Sequence, residues 1–473
     1  MTSFAEKLGY RVVGVKTMII LYGEIDMLIK RIHIVKLHGQ HDYKIEFDPE
    51  LTFLHGANGC GKTTVLNILA AVVTGKLYNL VDYSFERIDL FYSDSKDKED
   101  KIQIKIDIVE KNKRSMVVCF DGYSYEIEDI NNLKERMFRK SEEDNIERTF
   151  SNIYPFVKDI ISKFNYVYLP LSRYGYDRFD ERDYYRYGYS RRHYYEIQQN
   201  PYSSYLNESL RYISELIRNS CMNINIQENK VNDKFRNDVL SSMIRVSSDM
   251  HIWQIIEEIA KFEWDEVLKS KEAYIKTLRE IGVYDDKLQK EIEAFFEAFK
   301  SAYDDYIKQK NDDNEKPGIR IDLAWQYAEF LKIRNIAELA KENEKIKDKI
   351  RQPKMLFEEL INDFFLSSGT HKKIVITSEG QVIFETKAGK LHLTDLSSGE
   401  KQIVITFASL IFGFKGKGKG IFIVDEPEAS LHLEWQNKFV PAILKTNKNM
   451  QLIFATHSPE LIGEYRNKAV RLK

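Results

Sequence analysis

Apolar positions along the chain change period twice, and the changes divide it into three parts. From residue 31 the period is two: Ile32, Ile34 and Leu37 predict one strand, and Tyr43, Ile45 and Phe47 a second. Leu51-Thr52-Phe53-Leu54 reads as a short buried strand, after which Val65, Leu66, Ile68, Leu69, Val72 and Val73 recur at helical spacing. Stretches 85–92, 102–108, 116–120 and 123–127 predict an antiparallel meander, with Asp121-Gly122 as a tight turn. Residues 130–165 are charged and predicted helical, and Tyr166-Val167-Tyr168-Leu169-Pro170 predicts a buried strand ended by proline.

The middle of the chain, 205–352, has a helical period. Ile292, Phe295, Phe296, Phe299, Tyr303 and Tyr306 share one face and need something to pack against. Gly282 and the stretch 311–318 break the pattern into pieces of roughly 20–30 residues, or about 30–45 Å each at 1.5 Å per residue. That predicts a short helical insertion or compact bundle, not a long coiled coil. After Phe357 the pattern returns to α/β, with strands at 373–377 and 382–385 around Glu379-Gly380. The expected organisation is an N-terminal extension (1–30), a first lobe (31–170), a Tyr/Arg-rich loop with a helical insertion (171–354) and a second lobe (355–473).

Composition narrows the classes. Hydrophobic residues make up 43% of the 473, enough for a large core, and 30% are charged, as expected of a soluble protein with solvated helices. A net charge of -2 gives no global pull toward nucleic acid, so such a surface has to be local. Cys60, Cys119 and Cys221 match no metal spacing and point to a reducing, cytoplasmic setting. No apolar run reaches the roughly 18 residues of a membrane span. The apolar run 12–22 is interrupted by Gly14 and Lys16 and has no cleavage pattern; an extra edge strand at 18–22 is the alternative to an extension. Segment 172–196 interleaves eight tyrosines with Arg173, Arg178, Arg182, Arg186, Arg191 and Arg192, but Asp177, Asp180, Glu181, Asp183 and Glu196 offset most of the charge. A loop or protein contact is the first reading there and nucleic acid the second. The mixed charges of 341–351 read as a solvated helix face.

Four motifs carry chemistry. Gly56-Ala57-Asn58-Gly59-Cys60-Gly61-Lys62-Thr63 fits G-x-x-x-x-G-K-[ST] between a predicted strand and helix. Such a turn aims backbone N–H groups and the helix dipole at one point, which suits a phosphate, with Lys62 on the β/γ-phosphates and Thr63 on Mg²⁺. Leu396-Ser397-Ser398-Gly399-Glu400-Lys401-Gln402 opens another predicted helix and forms a second anion-binding arrangement. Ile421-Phe422-Ile423-Val424-Asp425-Glu426-Pro427 predicts a buried parallel strand delivering two carboxylates to its C-terminal edge: Asp425 for the Mg²⁺ shell, Glu426 for the attacking water. Leu452-Ile453-Phe454-Ala455-Thr456-His457-Ser458 predicts another buried strand, ending in a histidine placed for the γ-phosphate or the water.

In this order the motifs resemble the ABC-type ATPase heads of the SMC/Rad50/RecF/OLD group. Residues 56–63 match Walker A, 396–402 look like the signature, 421–426 are similar to Walker B, Ala429-Ser430-Leu431-His432 stands where the D-loop does, and His457 matches the switch histidine. The wording of 425–432 and 456–459 resembles compact AAA-type ATPases of anti-phage defence, such as the Septu and PARIS subunits. The resemblance implies a two-lobed α/β P-loop ATPase head with a helical insertion, binding ATP and Mg²⁺. It implies catalytic Glu426, His457 and Lys62, metal-binding Thr63 and Asp425, and nucleotide contacts from Gly56, Asn58, Gly59, Gly61, Lys62, Thr63 and Thr64. Ser397, Gly399 and Glu400 would serve the nucleotide of a second copy, so a homodimer or larger symmetric oligomer is expected. No nuclease cluster is visible in the chain, which implies a separate effector, a nuclease or toxin. A DNA-repair ATPase touching DNA through Arg173–Arg192 or Lys415–Lys419 is the alternative, and a transport ATPase the weakest. No Q-loop glutamine is apparent; Ser172 and Arg173 stand in its place.

Overall fold

The structure, a computed structural model, describes residues 27–94, 99–110, 113–133, 146–169, 201–244, 258–259, 261–310, 321–367, 369, 371–414, 420–446 and 450–473. Its strands are β1 (Leu28–Leu37), β2 (His41–Glu46), β3 (Leu51–His55), β4 (Arg87–Ser93), β5 (Glu99–Glu110), β6 (Lys113–Phe120), β7 (Tyr123–Ile127), β8 (Tyr166–Leu169), β9 (Lys373–Ile376), β10 (Val382–Thr386), β11 (Gly389–Leu391), β12 (Gly420–Asp425), β13 (Met450–Thr456) and β14 (Ala469–Arg471). Its α-helices are α1 (Lys62–Val73), α2 (Ile146–Ile153), α3 (Phe156–Lys163), α4 (Pro201–Ile244), α5 (Trp264–Ile281), α6 (Asp286–Lys310), α7 (Ile321–Ser367), α8 (Ser398–Phe412), α9 (Leu433–Thr446) and α10 (Pro459–Ile462). The described residues fall into two units. One takes the chain up to Arg218 with Leu356–Thr377 and Gln381–Lys473, and the other Asn219–Met355 with Ser378–Gly380.

The first unit is the α/β head. The expected meander is a six-stranded antiparallel sheet in the order β2-β1-β4-β5-β6-β7. Asp121 (φ 50°) and Gly122 (φ 81°) both take positive φ, as a two-residue hairpin with the right twist requires. A five-stranded parallel sheet follows the order β14-β3-β13-β12-β8. Residues 420–425 of β12 and 450–456 of β13 are buried throughout, which is why those strands read as unbroken apolar runs. Helix α1 is apolar on almost every side because its residues share one core with both sheets, from Ile32 and Ile104 to Ile421 and Ile453. A third sheet, β11-β10-β9, is antiparallel. Strand β8 pairs with β12 at the sheet edge and is only half-buried, so the expectation of a buried strand at 166–169 is corrected. A strand that the periodicity did not predict, β14, closes the opposite edge against β3.

One side chain joins the two large sheets. A bulge in the β1–β4 ladder lies between Ile29 and Arg31. The Gln451 amide, fully buried in β13, accepts from Ile29 N–H at 2.9 Å and donates to Ile29 O at 2.7 Å and Asp48 O at 3.0 Å. Gln451→Leu would leave three buried backbone groups short of a partner. It is expected to cost about 2–4 kcal/mol in urea unfolding, and a loss below about 0.5 kcal/mol would show that these bonds do not hold the sheets together.

The second unit has its own aromatic core. Phe299 and Phe330 are fully buried, Phe262 packs on both, and Ile292, Phe296, Tyr303 and Tyr306 share the cluster, so the α6 stripe meets the surface it needed. Gly282 ends α5 in the left-handed region (φ 79°). The expected helix lengths are wrong: α4 has 44 residues and α7 has 47. Glycine is absent from both, and α7 runs on through Pro353. Nor is 341–351 only a solvated face, because Arg351 pairs with Glu228 across to α4 and with Glu344 at 3.2 Å. Residues 1–26 of the expected 1–30 extension, the Tyr/Arg-rich segment 172–196, the breaker at 311–318 and the lysine loop 415–419 lie outside the described residues, while 28–30 open β1.

Candidate nucleotide site

The loop between β3 and α1 is shaped by what its glycines exclude. A Cβ at Gly56 would stand 2.6 Å from Cys60 Sγ and 2.7 Å from Leu472 O. At Gly61, φ is 83° and a Cβ would stand 2.6 Å from the Tyr43 hydroxyl. That hydroxyl donates to Cys60 O at 3.0 Å, so the antiparallel sheet braces the loop. Asn58 and Gly59 are exposed at its tip. Helix α1 begins with no side-chain cap and no acidic residue in its first turn, leaving its N-terminal N–H groups for an anion. Lys62 is 4% exposed, and its ammonium donates to Gly56 O (3.1 Å) and Ala57 O (3.2 Å).

The carboxylates arrive beside it. Asp425, at the end of β12, is 2% exposed, and neither carboxylate oxygen has a satisfactory hydrogen bond. Burial pushes its pKa up to about 7; the Thr63 hydroxyl opposes the shift, while Glu426 and Glu428 add to it. A buried, unpaired carboxylate facing a threonine hydroxyl and a phosphate loop fits a divalent cation. Glu426 follows with φ 45°, an uncommon conformation for a residue with a side chain, and its N–H donates to Ala455 O at 2.8 Å. His457 Nε2 lies 3.4 Å from Glu426 Oε1, and Nδ1 lies 3.3 Å from Lys62 Nζ. An ammonium only donates, so in the neutral ring Nδ1 accepts and the proton sits on Nε2, directed at Glu426. Lys62, His457 and Glu426 thus form one chain of contacts.

Ser397 caps α8. Its hydroxyl accepts from Glu400 N–H at 3.4 Å, and its own N–H donates to Glu400 Oε2 at 2.8 Å. Lys372 donates to both oxygens of Glu400, at 2.7 and 2.9 Å. Burial alone would raise the Glu400 pKa; the bonds from Lys372 and Ser397 outweigh it and hold the carboxyl below its ordinary value. A Cβ on Gly399 would meet Ser430 O at 2.5 Å, so the signature turn lies against the chain following the carboxylates. The partners of Ser397 and Glu400 are each other and Lys372; their hydrogen bonds do not reach the P-loop. The residues that sequence reading missed are Tyr43, Lys372 and Glu428. Tyr43 reads as an ordinary strand aromatic, Lys372 carries no local signal, and Glu428 stands in the 425–432 stretch with no role assigned to it.

The family model described as AAA ATPase domain matches residues 27–462, almost the whole chain. The chain belongs to the AAA_15 family. The Retron Ec83 probable ATPase of Escherichia coli is 35% identical over 80 residues, covering 15% of each chain. The Retron Vc95 probable ATPase of Vibrio cholerae serotype O1 biovar El Tor is 25% identical over 177 residues, 36% of this chain and 32% of that protein. Septu protein PtuA of Bacillus thuringiensis is 30% identical over 92 residues, 17% of this chain and 23% of that protein. The chain therefore matches less than a third of the length of each relative. As an AAA_15 ATPase domain it is a nucleotide-binding protein, and no helix among its described residues is long and apolar enough to cross a membrane.

Proposed function

We propose that this chain is a Mg²⁺-dependent, cytoplasmic ATPase subunit that assembles around ATP as a homodimer or larger symmetric oligomer and controls a separate effector, a nuclease or toxin, in anti-phage defence. The observation that carries the chemistry is the contact chain Lys62–His457–Glu426 beside the unpaired Asp425. Lys62 and the N–H groups of 56–64 hold the phosphates. Thr63 and Asp425 would hold Mg²⁺, which would supply positive charge to neutralise the phosphates. Glu426 takes the proton of the attacking water, and His457 orients Glu426 through Nε2–H. Ser397, Gly399 and Glu400 present the α8 N-terminus to the nucleotide of a second copy. The defence role is supported by the retron and Septu names of the relatives and by the wording of 425–432. No described residue favours the DNA-repair alternative, since Arg173–Arg192 and Lys415–Lys419 lie outside the described residues.

Lys62→Ala removes the only side-chain cation in the loop. ATP affinity is expected to fall on the order of 10²-fold in a fluorescent-nucleotide titration, with turnover lost. Hydrolysis at the wild-type rate would refute the assignment. The effector is tested by co-purification with the products of neighbouring genes, with and without ATP; no stable partner in either state would remove that part of the reading.

A further inference from the structure

Glu428 lies two residues beyond Glu426 in the turn after β12, and the reading above gives it no role. Its Oε1 accepts three hydrogen bonds from one stretch of chain: Thr456 Oγ1 at 2.7 Å, His457 N–H at 2.7 Å and Ser458 N–H at 3.1 Å. Its Oε2 is buried with no hydrogen-bond partner. All the bonding of this side chain therefore goes to the end of β13 and the two residues that follow.

Little else fixes the His457 backbone. The ring contacts at 3.3 and 3.4 Å are longer than a strong hydrogen bond, so they do not by themselves locate the ring. Ser458 is tied on its own account: its N–H also donates to Thr456 Oγ1 at 2.9 Å, and its hydroxyl donates to Gln436 Oε1 at 2.8 Å and accepts from Leu461 N–H at 3.2 Å. Between that anchor and β13, the His457 N–H goes to Glu428. Because Glu428 and Glu426 share one turn, the group that holds the histidine backbone is rigidly related to the carboxylate that the histidine ring faces.

We propose that Glu428 is a positioning residue for ATP hydrolysis: its Oε1 pins the Thr456–Ser458 segment and so sets where the His457 ring stands between Lys62 and Glu426. The step it serves rests on the ATPase reading above. Three donors on one oxygen is a demand that an amide oxygen also meets. Glu428→Gln therefore keeps the geometry and removes the charge, whereas Glu428→Asp keeps the charge and withdraws the oxygen by one methylene.

The test begins with hydrogen–deuterium exchange on the nucleotide-free protein. In Glu428→Ala the His457 amide is expected to exchange about tenfold faster or more, whereas the Ser458 amide keeps Thr456 Oγ1 as an acceptor at 2.9 Å. Glu428→Gln stays within about threefold of wild type and Glu428→Asp resembles Ala; these two decide the matter if the Ala variant does not fold. In turnover, kcat of Glu428→Ala falls about 10- to 100-fold with little change in KM. In a His457→Ala background the same substitution adds less than about twofold, because its effect acts through the histidine. Unchanged exchange at His457, protection by Asp but not Gln, or fully multiplicative effects with His457→Ala would overturn the proposal. An inactive wild type with the expected exchange pattern would instead count against the ATPase reading alone.

Discussion

Glu426→Gln is expected to lower ATP turnover by about 10²- to 10⁴-fold, the usual contribution of a general base, while ATP stays bound. The substitution is nearly isosteric. The Glu426 N–H bond to Ala455 O is made by the backbone and survives, and an amide oxygen still accepts from His457 Nε2. Lys62 and the loop N–H groups are untouched, so phosphate binding is preserved. What disappears is an acceptor for the proton of water. The variant should therefore accumulate in its ATP-bound form. On the proposed shared site that form would be a dimer or larger assembly, and light scattering of Glu426→Gln with ATP and Mg²⁺ reads it directly. Only monomer under those conditions would sink the shared-site mechanism, whatever the fate of turnover.

Asp425→Asn is expected to make the nucleotide-free protein more stable at pH 8 while abolishing its stabilisation by Mg²⁺ and ATP. The unfolded chain ionises this carboxyl near its ordinary 3.8, whereas burial pushes the folded value up to about 7. The folded state thus holds the proton more tightly. Its relative stability is greatest below the lower value and is lost as pH rises through the window, at a cost of about 4 kcal/mol above pH 7. Asparagine carries no charge and escapes that cost, less what its own unpaired amide loses. The difference between variant and wild type should shrink by roughly half between pH 8 and pH 5.5 in thermal melts. A pH-independent difference, or wild-type stabilisation by Mg²⁺ and ATP retained in the variant, would contradict it. The same desolvation that raises this carboxyl would favour a cation placed beside it.

Sequence reading succeeded where the requirement is local. Lys62 follows its glycines by contact along the chain, and Asp425 follows four apolar residues because a strand buried on both faces leaves no other pattern. It failed where partners meet across the chain. Gln451 looks like a stray polar residue in an apolar strand until Ile29 is placed beside it, 422 positions away. Lys372 and Glu400 are 28 positions apart, as are Glu428 and Thr456, with no motif linking either pair. The helices were underestimated for another reason. Gly282 is a true stop, but α4 contains no glycine and α7 tolerates an internal proline, so length was set by the absence of effective breakers.

The order β14-β3-β13-β12-β8 bears on how the protein is made. Strand β3 leaves the ribosome early, yet both its sheet neighbours come from the last part of the chain. At about 5–20 residues per second, the roughly 400 residues between them take on the order of 20–80 s to synthesise. Throughout that interval the phosphate loop lacks the parallel sheet, although not the brace from Tyr43, and β3 waits without its two sheet neighbours. The aromatic unit at Asn219–Met355 is under no such constraint, since its core partners are all translated before β12 begins. Synthesis thus favours a nascent chain whose insertion folds first and whose nucleotide site closes last.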